Sequence, residues 1–229
     1  MTEPDVVLTD YALAVECAIL AWMLWRRRAG SGLSPLSVWF ATGFAATGLA
    51  ALVGGTVHGF FGDQKSLWRV VLWPVTLLMV GLAALAFIRI AALLRFAPKT
   101  ELAVSRAATA LFFVYGAVVL FFDSRFVVAI IAYLPAVLFL GWVFLERYLN
   151  ARRKTFAWGL AGIAITLGAA VLQQAGIGLH PRYFNHNALY HTLQAAGLFL
   201  IFLTARELTA HDRQEKLRAD AGNLTGREA

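Results

Sequence analysis

The sequence predicts an all-α polytopic membrane protein, a seven-transmembrane-helix bundle with its N-terminus outside and its C-terminus in the cytoplasm. Three observations predict it. Of the 229 residues, 60% are hydrophobic and 14% charged, against roughly 45–50% and about 25% in soluble domains. The mean hydropathy is +0.68. The apolar residues gather into seven runs of about the 20 residues that a bilayer core about 30 Å thick demands. The same figures exclude a disordered chain, a collagen-like repeat and a soluble nucleic-acid binder. The net charge of +7 comes from basic residues flanking apolar runs, not from a nucleic-acid-binding face. A single cysteine, Cys17, excludes an intramolecular disulfide framework and any multi-cysteine zinc site.

The runs lie at roughly 8–25, 36–61, 68–94, 107–122, 126–145, 155–177 and 187–205. Arg26, Arg27 and Arg28 with Gly30, Ser31 and Gly32 end the first. Gly62-Asp63-Gln64-Lys65 ends the second, and Pro98-Lys99 parts the third from a short fourth. Asp123-Ser124-Arg125 makes a tight turn before the fifth. Arg152-Arg153-Lys154 precedes the sixth, and Gly178 to Phe184 precedes the seventh. Pro74 and Pro135 fall inside spans, where neighbouring helices satisfy the freed carbonyls. The transmembrane domain is 1–206, and 207–229 is a polar cytoplasmic tail.

Charge sets the orientation. The segment before the first run carries Glu3, Asp5 and Asp10 and lacks the basic start of a cleaved signal peptide. Alternate loops hold the arginine clusters, and the other side holds only Lys65, Arg69, Arg125 and Arg182. The positive-inside rule then puts the N-terminus outside. The expected location is a bacterial inner membrane.

Polar groups within spans are expensive, so their positions carry the functional information. With this topology Glu16, His58 and His191 all fall within roughly 10 Å of the outer ends of their helices, at 1.5 Å per residue. Behind His58 stand Gly55, Gly54, Ala51 and Gly48, a small-residue stripe that marks close helix contact and turns His58 into the bundle. Asn187, His191 and Gln194 form one polar stripe on the seventh span. Gln173 ends the sixth. His186 lies five residues before His191, on a different face. Asp63 and Asp123 lie in outer turns, where they also suit turn geometry. Imidazoles with a carboxylate make a zinc set, and three protein ligands plus water make a catalytic one.

Seven spans, a histidine ending the second and Asn187-Ala-Leu-Tyr-His191 opening the seventh resemble the CREST superfamily, which includes alkaline ceramidases and the progestin and adipoQ receptors. That family carries Ser-x-x-x-His on span two, Asp on span three and His-x-x-x-His on span seven. Here Gly54 stands at the serine position, Asn187 at the first span-seven histidine, and span three has no aspartate. The resemblance implies a membrane-embedded, zinc-dependent hydrolase of a lipid amide or ester at the outer face. In that reading His58, His186 and His191 hold the metal, and Glu16, Asp63 or Asp123 acts as acid or base. Asn187, Gln194 and Gln173 bind a membrane lipid as substrate or ligand. The alternative is a seven-span receptor or transporter-like protein, with a polar ligand-binding or proton-relay site and no hydrolysis.

Overall fold

The computed structural model describes residues 3–26, 34–63, 65–180 and 183–225, with 211–225 by backbone alone. Arg27, Arg28, Gly30, Ser31, Gly32, Gln64, Pro181, Arg182 and the side chains of the C-terminal tail, His211 among them, lie outside the described residues. Seven helices follow one another: α1 Pro4–Trp25, α2 Pro35–Phe60, α3 Leu67–Arg95, α4 Pro98–Phe121, α5 Phe126–Ala151, α6 Lys154–Gln174 and α7 His186–Thr225. All seven are long and apolar enough to cross a membrane, the last over His186–Ala210. The protein is therefore an all-α integral membrane protein.

Local chemistry sets the helix ends. Proline opens α1, α2 and α4, a position where its missing N–H removes nothing. The Ser34 hydroxyl accepts from Ser37 N–H at 3.2 Å to cap α2. Asn185 caps α7, its Oδ1 accepting from the N–H groups of Asn187 and Ala188. α5 stops at Arg152, whose φ of 52° is left-handed.

Two expectations change. The fourth span begins at Pro98 rather than near residue 107, because its polar first turns satisfy themselves: the Ser105 hydroxyl donates to Glu101 four residues back at 2.6 Å. The first begins at Pro4. That puts Glu16 about 18 Å along its helix, near mid-span rather than near the end.

Around the bundle, α1 packs on α2 and α7, α2 on α3, α3 on α5, α5 on α6 and α6 on α7. Six helices close a ring, and α4 packs outside it against α3. Tyr115 holds it there: its hydroxyl donates to Leu77 O at 2.7 Å, and its ring lies where Gly81 has no side chain. Buried Leu24, Phe40, Ile90, Phe144 and Phe156 fill the half of the ring remote from the start of α1. The other half encloses a cavity.

Candidate functional site

The cavity measures about 640 Å³ and is lined by all six ring helices and by no residue of α4. Its polar lining comes chiefly from the helix ends that meet where α1 begins. These groups are Asp10 on α1, His58 on α2, Gln173 and Gln174 on α6, and Asn187, His191 and Gln194 on α7. Below them the walls are alanine, valine and leucine, with the hydroxyls of Thr47, Thr76 and Thr166.

α1 supplies the carboxylates. Its buried face runs Val6, Val7, Asp10, Leu13, Ala14, Cys17, so helical spacing alone turns Asp10 inward. The glycine stripe on α2 lets this face approach closely. A Cβ added at Gly55 would stand 2.7 Å from Asp10 Cβ, one at Gly48 2.8 Å from Cys17 Cβ, and one at Gly59 2.5 Å from Val7 Cγ2. Gly54, by contrast, faces Thr76 on α3.

Asp10 Oδ1 then lies 3.2 Å from His191 Nδ1, with the two side chains 4% and 14% exposed. Two turns earlier, Glu3 Oε2 lies 3.4 Å from His58 Nδ1. Between them Asp5 accepts from the backbone N–H of Asn185 at 2.9 Å, which fixes the cap of α7. The acidic start of α1 thus ties α2 and α7 together at the mouth of the cavity. Each carboxylate faces Nδ1 of its imidazole and leaves Nε2 as the nitrogen turned away from it, although the approach of Asp10 to His191 Nδ1 lacks hydrogen-bond geometry. On the far wall Gln173 Nε2 donates to Asn187 Oδ1 at 3.0 Å. Trp73 closes the mouth over His58, ring centroids 6.0 Å apart and edge-on, and is held by its own bond to Ser124 O.

The structure sorts the expected residues. His58, His191, Asn187, Gln194 and Gln173 line one cavity. His186 does not line it, since it opens α7 on another face. Glu16 lines a separate groove between α1 and α7. Six residues of helix carry it about 240° around from Asp10. Asp63 sits in its turn, accepting from Lys65 N–H at 2.9 Å. Asp123 takes paired hydrogen bonds from Arg125, at 3.0 and 2.7 Å, and these hold its carboxyl below the usual carboxylate range. Neither turn carboxylate lines the cavity. Asp10 and Glu3 are the acidic partners that sequence reasoning passed over, and the buried face of α1 was the signal for Asp10.

The fit to a metal follows from this sorting. A catalytic zinc takes three protein ligands. Among the described residues, no group of three or more His, Cys, Asp and Glu side chains is placed to hold a metal ion.

The cavity also has a side opening. Its lining residues that are themselves exposed are Phe126, Leu134, Val171 and Gln174. All four belong to α5 or α6. Those helices pack closely below, where Gly141 meets Ile163 and Gly159 meets the Phe144 ring. Above Pro135, within the continuous helix α5, their cavity-facing residues reach the surface.

Fold and cavity together define a seven-helix membrane protein with a polar-mouthed pocket inside the bundle. The chain belongs to a family of unknown function, DUF6962, whose model matches residues 6–210. No curated protein and no solved structure matches it.

Proposed function

We propose that the protein is a membrane receptor or carrier for a small amphiphilic molecule bound within the helix ring. One observation carries this reading: a pocket of about 640 Å³ with its carboxylate, imidazole and amide groups gathered at one end and largely apolar walls, broken by a few hydroxyls, below. That volume lies inside the roughly 300–1,000 Å³ range of small-molecule sites, which share this pattern of apolar lining and few placed polar groups. The polar head of the ligand meets His191 Nε2, Gln194, Asn187 and the Gln173 amide. Its apolar body lies against Val80, Ile130, Leu134 and Leu167 and reaches lipid between α5 and α6. The acidic first residues and the basic alternate loops support a cytoplasmic membrane with the cavity mouth outside.

Amphiphiles screened by thermal shift on the detergent-purified protein test this. A ligand at a hundred times its Kd adds about 2.7 kcal/mol of stability. Ligands that stabilise the wild type should lose that effect on His191→Ala and Gln194→Leu. Equal stabilisation of all three proteins would contradict the site.

A second reading, a zinc-dependent lipid amidase or esterase, draws on His58 and His191 lining one cavity beside Asp10. It requires a third ligand that movement of a helix end would have to bring. Elemental analysis of metal-replete protein decides it: one zinc per chain, lost in His58→Ala and His191→Ala, supports that reading.

A further inference from the structure

Glu16 is left out of the cavity, and its surroundings are unusual. It lines a groove of about 750 Å³ on the lipid-facing side of α1 and α7. Leu8, Val15, Ile19 and Phe199 on the walls are each about half exposed or more. No residue of this groove lines the central cavity. Along α1, Glu16 lies about 18 Å from the helix start and about 13 Å from its end, so it sits at mid-span. A carboxylate at the centre of a span is costly to insert and by default marks a functional site. Yet Glu16 makes no hydrogen bond or ion pair with any described residue.

The rest of the groove indicates what it takes. Asp10 lies beside His191, so Glu16, six residues further on, lies near the level of Gly197, just before Phe199 on α7. Phe199 and Phe202 both line the groove, rings 6.4 Å apart. Aromatic faces attract cations, more strongly where water is absent. Below Glu16 the walls are Ile19, Leu20, Met23 and Leu203, apolar and in the case of methionine adaptable. Arg206, the other charged residue of the groove, closes its far end about two and a half turns of helix away. A carboxylate among aromatic and aliphatic walls, reached from the bilayer, suits a positive charge that already carries its own apolar coat.

We propose that the α1–α7 groove is a second binding site, and that its ligand is a lipophilic cation whose charge sits against Glu16 and whose apolar body lies along Ile19, Phe199 and Phe202. The site is independent of the central cavity and stands or falls without it.

Tetraphenylphosphonium is the probe. Its equilibrium binding is measured on purified wild type, on Glu16→Gln and on Gln174→Leu, a change in the central cavity on α6 that touches neither wall of the groove, each confirmed monodisperse. Saturable binding to wild type and to Gln174→Leu, weakened at least tenfold in Glu16→Gln, is the expected result. Unsaturable partitioning alone, or unchanged affinity in Glu16→Gln, overturns the proposal. If Glu16→Gln does not fold, wild type alone decides. Dicyclohexylcarbodiimide should label Glu16, and tetraphenylphosphonium should suppress the labelling. Labelling that the cation leaves unchanged, or no labelling of Glu16, overturns it equally.

Discussion

Asp10 on α1 lies 3.2 Å from Nδ1 of His191 on α7, both side chains almost wholly enclosed. This contact joins the helix that opens the chain to the helix that closes the ring, at the rim of the cavity. Removing one partner of a buried pair leaves the other charge or dipole uncompensated and costs about 3–5 kcal/mol. Asp10→Ala should therefore lower stability by about 3 kcal/mol. The double variant Asp10→Asn with His191→Gln should lose less than the sum of the single changes. A double-mutant cycle on thermal unfolding in detergent checks it. Additive losses would mean that the two side chains do not interact.

The glycine stripe behind His58 gives a graded prediction. Gly55→Ala places a methyl group 2.7 Å from Asp10 Cβ, and neither backbone can yield. Overpacking of this kind costs about 1–3 kcal/mol. Gly168→Ala meets nothing within 4 Å and should be neutral or gain up to about 1 kcal/mol from helix propensity. Apparent melting temperatures of the two variants separate close packing from propensity.

α4 stands outside the ring, so its anchor should be separable from binding. Tyr115→Phe deletes the hydroxyl that donates to Leu77 O and keeps the ring on Gly81. The loss should be about 1 kcal/mol, with the affinity of any cavity ligand unchanged. A fall in affinity matching that of His191→Ala would contradict a peripheral α4.

Asp123 should behave as a turn residue. Its hydrogen bonds from Arg125 lower its folded-state pKa. The pair therefore contributes above the unfolded carboxylate pKa of about 3.9 and the contribution fades as pH falls through the lowered folded value. Asp123→Asn should leave binding at neutral pH unchanged within a factor of two. A tenfold loss would return this carboxylate to the site.

What the sequence made legible, and what it hid, follow one rule. Hydropathy counts residues that avoid water, and it placed all seven spans. It truncated α4, because Lys99, Glu101, Ser105 and Arg106 are polar yet helical. It began α1 four residues late, because Pro4-Asp5 resembles a loop and is a helix start. That shift misjudged the depth of Glu16. His58, Asn187, His191 and Gln194 were legible because polar side chains at one depth on separated helices have few apolar explanations. Asp10 was set aside as a flanking charge. Only the spacing of Val6, Val7, Leu13 and Cys17 around it shows that it faces inward. Glu3 was illegible, since pairing between a helix cap and a histidine on another helix depends on tertiary packing.

Topology offers an independent check. A reporter fused after Ala229 should be active in the cytoplasm, given the basic bias of the alternate loops. Activity confined to the outer side would invert the bundle and place the cavity mouth at the cytoplasm.

The central claim, a small amphiphile held in the ring by the groups around His191, is tested most directly by native mass spectrometry of protein released gently from detergent. Wild type should carry an adduct of one small amphiphilic molecule per chain. The adduct should be absent from His191→Ala and retained by Glu16→Gln and Asp123→Asn. Wild type free of any adduct even after incubation with total membrane lipid, or an adduct held equally by His191→Ala, would contradict the account.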